Sequence, residues 1–216
     1  SSHVQRFKNE ASILSSLSNK YVVGILDHGE QDGSLYIVTE YFPGGNLRDF
    51  MQKGPVRIQE ALQYLIQLAT GLAVVHAKGI VHRDLKPSNV MFREDGGLAL
   101  IDFGIAKQLE VESSLTLAGE ILGTPSYMSP EHGSAEKIDA RSDIYSLGVI
   151  FYEMLSGRKP YQGSTAAAVV YQHSTMPVPR LPYKYQKYQP FLEKMMAKEP
   201  AERFQSSREI LQQVSF

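Results

Sequence analysis

Four side chains in a short stretch could do chemistry together. Asp84, Lys86 and Asn89 lie within Val81-His82-Arg83-Asp84-Leu85-Lys86-Pro87-Ser88-Asn89, and Asp102 opens Asp102-Phe103-Gly104. Carboxylate and amide oxygens are hard donors, and magnesium usually takes only one or two such ligands from a protein. A carboxylate can also orient a hydroxyl and accept its proton. The set suits phosphoryl transfer, which asks a protein for positioning and charge neutralisation more than for covalent work. On this reading Asp84 meets the attacking hydroxyl and Lys86 reaches the transferred phosphate. Asn89 and Asp102 hold the metal, and Pro87 stiffens their loop. A lone Asp-Phe-Gly or His-Arg-Asp would mean little, because such tripeptides occur in ordinary turns. Their order, and an Asn five residues after Asp84, make the combination specific.

The elements that must position these groups can be read from hydrophobic period and turn residues. Two short strands, 90–93 and 98–101, flank Asp95-Gly96-Gly97 and join the two motifs. Upstream, 4–17 has helical spacing, 22–26 reads as an apolar strand, and 35–41 reads as its hairpin partner across Asp32-Gly33. Asn46 is suited to cap a short helix through Met51. A long helix is expected over 58–78, with Leu62, Leu65, Ile66, Ala69, Leu72 and His76 on one side and Gly79 at its end. Segment 108–123 reads as a loop. The almost wholly apolar 143–155 reads as a helix buried at a domain centre, with later helices over 165–173, 189–197 and 206–214. Few strands followed by many helices indicate an α+β fold with a mainly helical larger part.

At 216 residues, with 43% hydrophobic content, the chain can bury a core within one domain. A net charge of -1 gives no global field to select nucleic acid. With no cysteine there is neither a disulfide frame nor thiolate chemistry, which fits a cytoplasmic protein. No apolar run reads as long enough to span a bilayer, and an anchor outside this stretch is left open. The histidines show no metal-ligand spacing.

The two motifs, with Gly123-Thr124-Pro125-Ser126-Tyr127-Met128-Ser129-Pro130-Glu131, Asp143-Ile144-Tyr145-Ser146-Leu147-Gly148 and Arg203, resemble eukaryotic-type protein kinases of the Ser/Thr branch, in a bacterial style. The likeness runs from about Phe7 to Val214. It implies a two-lobed fold, with 1–41 the remainder of the smaller lobe (one helix and a hairpin) and 42–216 the larger, helical one. It implies ATP and Mg²⁺, and protein substrates carrying Ser or Thr. It implies that Asp143 anchors the catalytic-loop backbone and that Arg203 pairs with Glu131. Leu14, Ile25, His82 and Phe103 would form a spine joining the lobes. Glu10 matches a glutamate that pairs with a strand lysine, and Thr39 a gatekeeper. Glu40 to Phe42 match the hinge that meets adenine. Met91 would lie under the adenine ring, and Asn46 stands where the family often touches ribose, although a helix cap needs no ligand.

Arg83 beside Asp84, and hydroxyls in the following loop, suggest control by phosphorylation at Thr116, then Ser114 or Ser113. No glycine-rich phosphate cover and no strand lysine precede Glu10. Residues 1–216 by themselves are therefore expected to be inactive, and their open hairpin edge to favour self-association. The rival readings are a non-catalytic kinase-like scaffold and, more weakly, a small-molecule kinase. The 125–131 loop and the Asp143 helix resemble peptide-substrate machinery and count against the latter.

Overall fold

The computed structural model describes residues 2–103, 125–134 and 137–214. Helix α1 (Ser2–Ser15) buries Phe7, Ala11 and Leu14. An antiparallel hairpin follows, β1 (Ile25–Gln31) against β2 (Ser34–Thr39). Its turn is Asp32-Gly33, both at positive φ (52° and 77°), the two-residue geometry whose twist matches the flanking strands.

The 22–26 strand expected from sequence is misplaced. The first hairpin strand begins at Ile25 and runs through polar residues, while Val22 and Val23 are core residues. Their backbone joins the second sheet instead: Val23 N–H donates to the Leu100 carbonyl at 2.9 Å, and Leu100 N–H donates to that of Tyr21 at 2.9 Å. An apolar run marks burial, and here burial lies beside a different sheet from the one its neighbours form.

Helix α2 (Leu47–Met51) is capped as expected, Asn46 accepting the Asp49 N–H at 2.9 Å. Helix α3 (Ile58–His76) is closed by Gly79 at φ 74°. It packs against α5 (Ala140–Ser156), α8 (Ser207–Gln213) and strand β4 (Leu98–Leu100). Its buried stripe is Ala61, Tyr64, Leu65, Leu68, Ala69, Leu72 and Val75; Ile66, put on the same side by the sequence reading, is exposed. These residues recur at helical spacing on one face, which includes the expected Leu65, Ala69 and Leu72, and Ile66 falls beyond its edge. This helix also corrects the expectation about membrane-spanning runs, because by length and composition it could cross a bilayer. Glu60 is its one acidic or basic residue other than the terminal His76, and its apolar side chains fill the space beside α5 and α8.

Strands β3 (Val90–Phe92) and β4 pair antiparallel, Val90 opposite Leu100. Among the described residues, α4 (Pro130–Gly133), α6 (Ala166–Thr175) and α7 (Gln189–Met195) complete the helices. The sheets are small and antiparallel and the remainder is mostly helical, a mixed α+β fold. Its centre is α5, buried from Ser142 through Tyr152.

Candidate active site

The site begins with a buried carboxylate. Asp143, in the first turn of α5, is 1% exposed. Its Oδ2 accepts the His82 N–H at 2.8 Å and its Oδ1 the Arg83 N–H at 2.9 Å. The Nε2 of His76, from the last turn of α3, lies 2.7 Å from Oδ2. Burial alone would raise the Asp143 carboxyl, but the hydrogen bond and charge of His76 outweigh it and hold the pKa below its ordinary value. Two helices thus fix two consecutive peptide units immediately before Asp84.

That fixation holds an uncommon backbone. Arg83 has φ 66°, in the left-handed region that non-glycine residues rarely occupy. Its carbonyl is held from the other side by His132 Nε2, 3.2 Å away, and His132 Nδ1 lies 2.7 Å from Ser129 Oγ. For a neutral imidazole this sets the tautomer: Nε2–H donates to the carbonyl and Nδ1 accepts from the Ser129 hydroxyl. Burial keeps His132 below its ordinary pKa, favouring that form.

Beyond this anchor Asp84, Lys86 and Asn89 meet. Lys86 Nζ donates to Asp84 Oδ2 at 2.8 Å. Asn89 Nδ2 donates to the same oxygen at 3.1 Å and to the Asp84 carbonyl at 2.8 Å. One 3-10 turn, Pro87–Asn89, sets their spacing. The amide nitrogen of Asn89 is committed to Asp84, so its oxygen is the atom suited to a cation.

Asp102 is placed by its neighbours. Ile101 N–H donates to the Asn89 carbonyl at 3.0 Å, and His82 Nε2–H donates to the Ile101 carbonyl at 2.9 Å. Phe103 is buried with its ring 4.7 Å from that of His82. Asp102 itself is exposed and adopts φ 52°. Asp102 thus follows directly on a residue whose backbone is hydrogen-bonded to that of Asn89, and the pair can offer a carboxylate and an amide oxygen. Two hard donors of this kind fit a magnesium ion. Among the described residues no cluster of three or more His, Cys, Asp or Glu side chains offers a rival metal site.

The remaining sequence candidates lie farther out. Glu40 Oε1 accepts the Gly24 N–H at 2.7 Å, and both its oxygens accept from the guanidinium of Arg93. Hydrogen bonds from Arg93 hold its carboxyl below the ordinary value against the effect of burial. Its side chain is thus occupied in structure. Phe42 is buried beneath that guanidinium, 5.2 Å from ring centroid to the central carbon. Asn46 uses both ends of its side chain on Asp49, and its backbone bridges to Met91, which is half-buried against the core. Glu10 lies half-buried on α1 and Thr39 is exposed at the end of β2. Thr116, Ser114 and Ser113 lie outside the described residues.

Glu131 and Arg203 form the buried pair expected of them. Nη1 and Nη2 of Arg203 donate to the two Glu131 oxygens at 2.6 and 2.8 Å, and Ser142 Oγ donates to Oε1 at 2.6 Å. Burial would raise Glu131, but these bonds hold it at about 2. Sequence reasoning missed His76, His132 and Arg93 as positioning residues. For His76 a signal was present: a polar ring on an otherwise apolar helix side requires a buried partner.

The model for the protein kinase domain matches residues 1–216. The chain belongs to the protein kinase family. Among its relatives, serine/threonine-protein kinase pkn2 of Myxococcus xanthus is 40% identical over 217 residues, covering 95% of this chain and 26% of that protein. Serine/threonine-protein kinase PknB of Mycolicibacterium smegmatis is 38% identical, covering 95% and 34%. PknL of Mycobacterium tuberculosis strain H37Rv is 38% identical, covering 81% and 44%. The chain thus spans about a quarter to under half the length of these bacterial kinases. Asp84, Lys86 and Asn89 form one hydrogen-bonded cluster, and Asp102 lies on the adjoining segment.

Proposed function

We propose that this chain is the catalytic part of a serine/threonine protein kinase that transfers the γ-phosphate of ATP to Ser or Thr hydroxyls of proteins. The observation that carries the reading is the cluster in which Asp84 accepts from Lys86 and Asn89, on a loop held by buried Asp143. Asp84 orients the incoming hydroxyl and takes its proton late in transfer. Lys86 stays within reach of both that carboxylate and the transferred phosphate. Asn89 and Asp102 would hold Mg²⁺, which, when bound, neutralises charge on the phosphates. The segment around Glu40, Phe42 and Met91 would receive the adenine, with Asn46 near the ribose, and Glu10 would belong to the phosphate end.

The finer architecture is a two-lobed kinase in which 1–41 contribute to the smaller lobe and 42–216 form the larger, working in the cytoplasm. Phosphorylation at Thr116, Ser114 or Ser113 would regulate it by adding a charge of roughly -1.5 to -2 near Arg83. Residues 1–216 by themselves would bind ATP poorly, because charge stabilisation in phosphoryl transfer depends on donors fixed around the phosphates. The relatives' names support the Ser/Thr assignment. The chemically complete cluster favours an enzyme over a scaffold.

The test is Asp84→Asn in the complete protein, assayed by steady-state phosphorylation of a generic Ser/Thr protein. A loss of ~10²-fold or more in rate is expected with the fold unchanged. Wild-type turnover in that variant would remove Asp84 from the chemistry.

A further inference from the structure

A cavity of about 530 Å³ opens beside the catalytic loop, between α2, the loop itself and the end of α5. Lys86, Pro87 and Ser88 form one wall, so the cavity shares residues with the segment that carries Asp84. Arg48 and Gln52 of α2 face it from a second side, and Tyr127, Glu153 and Lys159 from a third. A space this size is about 8 Å across, the length of two or three extended residues. An acceptor peptide lying along Asp84 would therefore pass it within a few residues of its hydroxyl.

The charges of the walls are unequal. Arg48, Lys86 and Lys159 are cationic, and Glu153 is the carboxylate among the lining residues. That carboxylate is already engaged, its Oε2 accepting the Tyr127 hydroxyl at 2.6 Å, and burial raises its pKa. Lys86 is paired with Asp84. Arg48 meets Asp49 at 3.2 Å, but both side chains are more than half exposed, so solvent weakens that pair. Lys159 Nζ donates to Ser126 Oγ at 3.1 Å and stands 5.4 Å from the Tyr127 ring centroid, and its charge also acts on Glu153. Arg48 and Lys159 are thus the cations of the site whose hydrogen-bond partners are solvent-weakened or neutral, beside a carboxylate that already accepts from Tyr127.

We propose that this cavity receives an acidic side chain of the protein substrate, so that the chain selects Ser or Thr residues with Asp or Glu close by in sequence. The inference rests on the kinase reading and specifies its substrate class. A basic side chain here would face Arg48 and Lys159, a like-charge encounter that complementary interfaces avoid. Selection would act on binding of the acceptor segment and would leave the chemistry at Asp84 unchanged.

The experiment measures binding apart from turnover. Fluorescent peptides carry Ala in place of the acceptor Ser and place Asp, Ala or Arg in turn at each of about four positions on either side, an extended reach of about 13 Å. Anisotropy is recorded with the complete protein, with Lys159→Glu and with Arg48→Glu. Arg48 is exposed, so its variant keeps the fold even if the half-buried Lys159 does not. At least one Asp position should bind about fivefold tighter than Ala, and each folded charge-reversal variant should erase that gain and favour Arg. Equal binding of Asp and Ala peptides, tighter binding of Arg peptides, or an Asp preference that survives Arg48→Glu would overturn the proposal. Acidic selection without any phosphoryl transfer would leave it standing and remove the kinase reading. Transfer without acidic selection would do the reverse.

Discussion

The β1–β2 hairpin and helix α5 are of similar length and opposite character. No side chain in the hairpin strands is fully buried, and Leu26, Tyr36 and Val38 stand exposed. Helix α5 is buried from Ser142 to Tyr152, polar residues included. The hairpin is held by its backbone ladder and by ties at its base. Helix α5 is held by packing and carries the carboxylate that fixes the catalytic loop. Residues that must hold reacting groups closely are anchored where burial removes alternatives. The exposed ladder tolerates variety.

The sharpest way to break this contrast is to remove one partner of a buried pair. Arg203→Leu leaves Glu131 charged and enclosed, and should destabilise the fold by about 3–5 kcal/mol in denaturant unfolding. A cost under about 1 kcal/mol would mean that the pair is not structural. Acid should act next, on the same helical part. His173 is buried, donates from Nε2 to the Ser126 carbonyl at 3.1 Å, and is pushed by burial from 6.5 to about 4. A proton therefore binds the unfolded chain first: the stabilisation is complete above pH 6.5 and is lost as pH falls toward 4. Glu131, held at about 2 instead of 4.5, adds a second loss between pH 4.5 and 2. Each contribution is on the order of 3 kcal/mol. A stability curve flat from pH 6.5 to 4 would contradict the burial of His173.

Smaller effects lie toward the hairpin. A methyl group at Gly71 on α3 would come within 2.7 Å of the Tyr21 carbonyl oxygen and 3.0 Å of Leu100 Cδ1. Gly71→Ala should cost about 1–3 kcal/mol as backbone and core shift to admit it. An unchanged melting temperature would show that the Tyr21 segment yields freely. Leu26→Ser, on the exposed strand, should change stability by less than about 0.5 kcal/mol. A larger loss would mean that the hairpin face is covered in solution.

The same contrast governs what could be read from sequence. The candidate residues Asp84, Lys86 and Asn89 stand in one short stretch with a rigid spacing, and the structure brings them into hydrogen-bonding contact. The α5 helix was legible because burial restricts residue type, and the Glu131–Arg203 pair was legible only through the family resemblance. The strand at 22–26 was not, because an apolar run reports burial without naming the neighbour. The Arg48–Lys159 cavity wall was not legible either: its residues lie more than a hundred positions apart and only the fold brings them together. The Ser129–His132–Arg83 connection likewise depends on α4 lying against the catalytic loop.

Arg93, at the end of β3, has a consequence of its own. Its guanidinium reaches both oxygens of Glu40 and the carbonyls of Lys20 and Val22, all from the first part of the chain. Together with the Tyr21–Leu100–Val23 backbone bonds, it stitches residues 20–40 to the second sheet independently of the covalent link at 41–42. A polypeptide cut in that exposed link, where Tyr41 stands in solvent, would retain these contacts between its two pieces. Co-expressed as separate chains, the pieces should find each other again, and Arg93→Ala should weaken that reunion while leaving the uncut protein folded.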